Sequence, residues 1–381
     1  MKKEIEPGLE HIKKLHISAF RDGRAVYNEF SRKYGQRKSH EIVDSIFEAA
    51  SQSQQDLYEK KNSDYDIAMI FTGGYDADIV RRSCNWIFEH KDSFGDEILE
   101  VGCDCGFMTT FLGTLFPDKH ITAVERSKSG IEIAKKNVEK FGLTNVDFIC
   151  DDITNLKDMK FDTVFSMRTL QENGDDVDES GLKEFKELAE KYTKAKEKYA
   201  STIVSLVKEG GTLVSIERIG INSLFLAWLQ DLMNNGMMFN DYAQIKCREV
   251  GDEETFQALI FINNKTDNNE NAYDVFMNCF AENLEQDRAE YFNWDAKILN
   301  DYFGGEVIMG YEATDKRNNA QSIITVKKHN TESNCILLYN NNNGAAHLWI
   351  VGISDLDEII ETVNNSLQET KKNDYIEIKE L

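Results

Sequence analysis

Apolar residues recur at helical spacing at Leu9, Ile12 and Leu15, and again at Ile42, Ile46 and Ala50, so residues 1 to about 65 read as helices. Thr72-Gly73-Gly74 punctuates the chain, and an amphipathic helix carrying Ile79, Val80, Ile87 and Phe88 is predicted after it. From residue 97 the pattern changes to apolar strands alternating with helices, which predicts a parallel sheet. Strands are predicted over 97–101, 120–125, 146–150, 162–167 and 212–217, and helices over 107–116 and 129–141, the latter capped by Gly142. A charged stretch over 179–209, carrying Leu182, Phe185, Leu188, Tyr199, Ile203 and Leu206, is long enough for two helices and ends at Gly210-Gly211. After a helix over 222–235, strands over 244–250 and 255–263 form a hairpin that turns at Gly251.

Asn and Asp crowd residues 263–271, which predicts a linker. Beyond it the order changes to two helices (271–284 and 287–302) and strands near 306–312, 320–327, 335–340 and 346–352. A helix through Leu356, Ile359, Ile360, Val363 and Leu367 then leads to a last strand at 375–379. Three parts are therefore expected: an N-terminal helical cap (1–65), a central α/β domain (66–264) and a C-terminal α+β accessory domain (265–381). The last is expected either to form a homodimer or to cover the substrate.

The chemistry concentrates where the first central strand ends. Ile98-Leu99-Glu100-Val101 runs into Gly102-Cys103-Asp104-Cys105-Gly106 and then into an apolar helix. Glu125 stands 19 residues after Gly106, at the end of the next strand. Glycines there let backbone approach a ligand, a helix start offers free N–H groups, and the distant acid can accept both hydroxyls of a ribose. A dinucleotide fingerprint needs Gly-x-Gly-x-x-Gly. Counted from Gly102, its later positions are Asp104 and Phe107, so a nicotinamide-dependent oxidoreductase fails on spacing.

The pattern Glu100-x-Gly102-x-x-x-Gly106 instead resembles motif I of the class I S-adenosylmethionine-dependent methyltransferases, usually Asp/Glu-x-Gly-x-Gly-x-Gly. Asp104 replaces the middle glycine, and Asp tolerates left-handed backbone better than most residues. The resemblance covers about residues 66–264 and implies a Rossmann-like α/β fold with a seven-stranded sheet. It implies a cofactor site of Glu100, Gly102, Cys103, Asp104, Gly106, Glu125, Arg126, Asp151, Asp152, Ile153 and Met167. In it Glu125 takes the ribose, Asp152 matches the adenine-binding acid, and Ile153 lies beside the ring. It further implies that Met167–Glu172, after the fourth strand, lines the methyl-transfer site.

That segment is not Asp/Asn-Pro-Pro-Tyr/Phe, and no Pro-Cys dipeptide occurs anywhere, which argues against adenine or glutamine amino methylation and against cytosine C5 chemistry. Arg168 and Glu172 are the expected catalytic residues, with Gln171 and Glu217 as further candidates for acceptor contact. A base, where the nucleophile needs one, is expected to be Glu172 or a tyrosine of the N-terminal helices. The expected activity is methyl transfer to a small molecule or peptide; the alternative is a methyltransferase-fold scaffold that has lost catalysis. A polyamine synthase would want paired acids after the fourth strand, and Asp175-Asp176 comes too late.

Charge and composition narrow the partners. A net charge of −23 disfavours nucleic acid, which is held by clustered Lys and Arg. No apolar run is long enough to span a membrane. The opening Met-Lys-Lys-Glu-Ile-Glu-Pro lacks a signal-peptide core, so a cytoplasmic location is expected. Seven scattered cysteines do not form a disulfide framework, and Cys103-x-Cys105 reads as small residues in a tight turn rather than a metal site.

Overall fold

The computed structural model describes residues 6–156, 158–179, 184–264, 271–284 and 289–381. Most of the expected linker at 263–271, and Leu182, lie outside them. Two compact units divide the chain. The first comprises residues up to Gly174, Lys196–Gly220 and Asp231–Asn269; the second comprises Asp175–Ala195, Ile221–Gln230 and Glu270–Leu381.

The first unit begins with helices α1 (Pro7–Leu15), α2 (Gly23–Tyr34), α3 (Gln36–Gln52), α4 (Gln54–Lys61) and α5 (Tyr65–Glu89). The strand–helix alternation follows: β1 (Glu97–Val101), α6 (Phe107–Leu115), β2 (His120–Glu125), α7 (Lys128–Phe141), β3 (Val146–Cys150) and β4 (Phe161–Met167). Helix α8 (Phe185–Leu206) leads into β5 (Val207–Glu217); α9 (Ser223–Asn234) precedes the hairpin β6 (Met237–Glu249) and β7 (Asp252–Asn263). The strands form one sheet in the order β3-β2-β1-β4-β5-β7-β6, parallel except for the hairpin, whose β7 runs antiparallel to β5. Strands β1 and β4 are neighbours although a helix leaves each to opposite sides of the strand order. That reversal opens a crevice at their C-terminal ends. Interior strands are apolar on both faces, as a parallel sheet covered by helices requires: Ile98, Leu99, Val164, Phe165, Val214 and Ile216 are all buried.

Three local expectations change. Gly73-Gly74 does not interrupt the chain; α5 runs straight through it. A Cβ on Gly73 would lie 2.5 Å from Ile17, and one on Gly74 2.1 Å from the Phe20 ring. The pair therefore serves the close approach of the α1–α2 connection to α5, which outweighs the modest cost of glycine in a helix. The stretch after β4 forms one helix over its described residues, ending at Leu206, and Gly210-Gly211 lies inside β5 rather than before it. A Cβ on Gly211 would meet the Asp162 carbonyl oxygen at 2.7 Å, beside the register shift between β4 and β5. The β6–β7 hairpin is longer than its alternation suggests, starting at Met237.

The second unit has its own sheet. Helices α10 (Ala272–Asn283) and α11 (Asn293–Phe303) flank the short β8 (Glu290–Phe292). Strands β9 (Gly304–Asp315), β10 (Gln321–His329), β11 (Cys335–Asn342) and β12 (Ala345–Gly352) form an antiparallel meander, followed by α12 (Leu356–Lys371) and β13 (Ile376–Glu380). The sheet order is β13-β9-β10-β11-β12-β8. Val363 and Leu367 of α12 pack on Tyr311, Val326 and Ile336 of one sheet face. Among the described residues, no helix is long and apolar enough to cross a membrane.

Candidate functional site

The crevice at the ends of β1 and β4 is a cavity of about 630 Å³, within the range of about 300–1,000 Å³ usual for small-ligand sites. Its floor is made by strand ends and the turns that follow them. Its roof is made by α3, α4 and α5. All its lining residues belong to the first unit.

In the turn after β1, Gly102, which lines the cavity, and Gly106, which does not, both take left-handed backbone, at φ 71° and 74°. A Cβ on Gly102 would lie 2.8 Å from Thr169, and one on Gly106 2.8 Å from Ala134, so the turn tolerates no side chain at either place. Asp104 is also left-handed, at φ 44°. Its carboxylate accepts from Lys61 Nζ at 2.5 Å and from Asn62 Nδ2 at 2.6 Å. Burial works against a charge on Lys61, but the Asp104 carboxylate prevails and holds it protonated above the ordinary lysine range. The acid in place of the middle glycine is thus neutralised by the C-terminus of α4.

Glu100 is 3 % exposed and lines the cavity. Burial pushes its carboxyl up to about 8, against a hydrogen bond from Thr109 and helped by the charge of Glu125. Glu125 is oriented by backbone: Oε1 accepts from Ser127 N at 2.8 Å and Oε2 from Asp104 N at 3.2 Å. Each oxygen keeps lone-pair capacity for a ligand. Burial and the charge of Asp104 raise its carboxyl, against the two N–H bonds.

Cys103, Arg126, Asp151, Asp152, Ile153 and Met167 all line the same cavity. Asp152 Oδ1 accepts from Thr154 N at 2.9 Å and Thr154 Oγ1 at 2.7 Å; Asp151 Oδ1 accepts from Asp152 N and Asn155 Nδ2, both at 2.7 Å. Both acids therefore cap the short helical turn at Ile153–Leu156 as well as facing the cavity. Desolvation raises the Asp152 carboxyl, but the Thr154 bonds and the Arg126 charge outweigh it and lower it overall.

Of the segment after β4, Arg168 and Glu172 line the cavity. Arg168 holds left-handed backbone at φ 58°. Its guanidinium ion-pairs with Asp76 of α5 and, at 3.2 Å, with Glu249. Asp76 holds it firmly charged despite burial. Glu172 accepts from Tyr58 OH of α4 at 2.6 Å, and burial raises its carboxyl. The structure thus joins the two groups named as alternative bases into one hydrogen-bonded pair.

Two acceptor-contact candidates are placed elsewhere. Gln171 donates from Nε2 to the Arg218 carbonyl at 2.7 Å and is not among the lining residues. Glu217 is 1 % exposed and accepts from Thr169 N (2.9 Å), Leu170 N (3.0 Å) and Ser166 Oγ (2.9 Å). It pins the loop that carries Arg168 and Glu172, and burial pushes its carboxyl up to about 7. The roof residues Tyr58, Lys61, Asn62 and Asp76 escape sequence reasoning, because nothing local in α4 or α5 marks them; only the charge of Asp104 signals that a cation must meet it.

The residues present fit S-adenosylmethionine: Gly102 bares backbone on the cavity wall beside buried Glu100, and Glu125, oriented by backbone, stands ready to accept hydroxyls. The family described as "Methyltransferase domain" matches residues 92–246. Malonyl-[acyl-carrier protein] O-methyltransferase of Bacillus cereus is 43% identical over 85 residues, which are 22% of this chain and 30% of that protein. (S)-Tetrahydroprotoberberine N-methyltransferase of Eschscholzia californica is 28% identical over 78 residues, 20% of this chain and 22% of that protein. The match thus spans less than a third of these relatives' length. A solved methyltransferase from Pyrococcus furiosus is 19% identical, with a TM-score of 0.34 over 48% of this chain and 83% of that one. By its family match and its sheet order, the segment at residues 92–246 is a methyltransferase domain of the Rossmann-like kind.

Proposed function

We propose that this protein binds S-adenosylmethionine in the cavity and transfers its methyl group to a small molecule or a peptide side chain. The observation that carries this reading is the Glu125 carboxylate, aimed by two backbone N–H groups into the cavity beside the bare backbone of Gly102. Bound there, the cofactor supplies a sulfonium methyl that is already strongly electrophilic.

The chain's residues then have three tasks. Glu125 accepts the ribose hydroxyls through oxygens that Ser127 and Asp104 N–H already aim. Asp152 and Ile153 flank the adenine, while Met167 borders the methyl-transfer end. Helices α3–α5 close the cavity, which keeps the reaction dry and fixes the approach of the acceptor. Glu172, linked to Tyr58, takes a proton from an acceptor that must lose one. The relatives' names include both an O- and an N-methyltransferase, so they support methyl transfer and leave the acceptor atom open.

The test is incubation with methyl-labelled S-adenosylmethionine and fractionated small molecules, reading both label transfer and release of the demethylated product. Label on an acceptor, lost in Glu125→Ala at limiting cofactor, supports the reading. A protein that binds the cofactor but never turns over is a scaffold instead.

A further inference from the structure

The wall of the cavity away from the cofactor turns has a consistent chemistry. Seven carboxylate residues and two arginines, Arg126 and Arg168, line the whole cavity, and of these Asp76, Glu172 and Arg168 lie off the turns assigned to the cofactor. Neither arginine is a free anion receptor. Arg126 lies on the floor, 3.9 Å from Asp152. Arg168 is engaged by Asp76 and Glu249, and Glu249 also meets Arg218 at 3.0 Å, which in turn meets Glu254. In that chain two guanidiniums face three carboxylates, so its net charge is negative.

Glu172 is different again. Its hydrogen bond comes from the neutral Tyr58 hydroxyl; the charges of Lys61 and Arg168 reach it only from beyond salt-bridge distance among the described residues, and each of those cations is already paired, with Asp104 and Asp76. A mostly buried carboxylate in that position is strongly favoured by an arriving positive charge. Beside these acids the roof presents rings. Phe47, Phe71 and Tyr75 line the cavity as a connected row, with centroids 6.1 Å and 4.8 Å apart. Ring faces attract cations and bury apolar bodies together. A carboxylate acceptor would meet the reverse of what it needs: acids without a free guanidinium.

Resting on the methyltransferase reading above, we propose that the acceptor is a small amine on an apolar body, held as an ammonium by Glu172 against the Phe47–Phe71–Tyr75 row. The step balances without a further reactant. The ammonium gives one proton to the Glu172 carboxylate and becomes an amine with a free lone pair. That pair forms the N–C bond to the methyl as the C–S bond breaks and its electrons return to sulfur. The product leaves as a methylated ammonium, and the proton on Glu172 passes to solvent when the cavity opens.

Three probes sharing one aryl body test this by binding alone: 2-phenylethylammonium, 2-phenylethanol and phenylacetate. Each is titrated calorimetrically into the full chain saturated with the demethylated cofactor product. The expected order is ammonium tightest, by roughly tenfold over the alcohol, and carboxylate weakest. Glu172→Gln should remove most of the ammonium preference and leave the alcohol unchanged; the order in the parent protein stands even if that variant fails to fold. Carboxylate binding as tight as ammonium overturns the proposal, as does an ammonium preference untouched in Glu172→Gln, or no binding of any probe to protein that holds the product. Failure to bind the product itself overturns the underlying methyltransferase reading, so the two failures are distinct.

Discussion

The floor and the roof of the cavity are built by different means. The floor is short-range: Glu100, Gly102, Asp104 and Gly106 sit within seven residues, and Glu125 ends the neighbouring parallel strand. The roof is long-range: Tyr58 meets Glu172 across 114 residues, and Asp76 meets Arg168 across 92. Under the proposed function the floor serves the cofactor, and the roof is where acceptor choice resides. Lys61 and Asn62 join the two, by answering on the roof a charge that the floor introduces at Asp104.

The junction gives the largest expected effect. Lys61→Met leaves the Asp104 carboxylate largely buried with only Asn62 for support, and should destabilise the protein by about 3–5 kcal/mol in denaturant unfolding. Adding Asp104→Gly, which restores the usual glycine, should recover most of that loss, since removing both partners removes the uncompensated charge. If the double variant is as unstable as Lys61→Met alone, the two regions are not coupled through this pair.

Next in size is the pH response of the floor. Glu100 has an ordinary value of 4.5 and is pushed up to about 8 by burial. Between those values the folded protein keeps a proton that the unfolded chain has lost. The stability from Glu100 is therefore full below about 4.5 and is lost as pH rises through about 8. At about 1.4 kcal/mol per unit this amounts to a few kcal/mol. Glu217, pushed up to about 7, acts in the same sense and would remain. Glu100→Gln should flatten the fall of melting temperature with rising pH without abolishing it; an unchanged slope would mean that Glu100 is solvated in the folded protein.

The smallest effect separates roof from floor. Arg168→Lys and Glu172→Gln should lower turnover yet shift cofactor affinity by no more than about twofold, roughly 0.4 kcal/mol. Because burial raises the Glu172 carboxyl, activity should climb with pH as it ionises, and Glu172→Gln should lose that limb. A large loss of cofactor binding in either variant would erase the division of labour.

What could be read from the sequence follows the same split. Alternating strands and helices, the two glycines and Glu125 are local patterns, and they foretold the sheet and the turn that shapes the floor. The glycine pair at Gly73-Gly74 misled because a glycine needed for close packing looks like one needed for a break. Glu217 looked like an acceptor contact because its sequence position, at the end of β5, is that of a site residue. Only the three donors around it show that its oxygens are already spent on the loop. Tyr58 and Asp76 lie on helices whose spacing speaks only of burial, so their pairing with Glu172 and Arg168 emerges only in three dimensions.

The most direct test of the whole reading is calorimetric titration of the demethylated cofactor product into the parent protein and into Glu125→Ala, with Glu125→Gln as a control that keeps one acceptor oxygen, for either the Ser127 or the Asp104 N–H group. Loss of a two-point charged hydrogen bond to a ribose should weaken binding by roughly 2–3 kcal/mol in the alanine variant, and by less in the glutamine variant. Equal affinity in all three proteins would place the ribose elsewhere and contradict the assignment of the cavity floor to this cofactor.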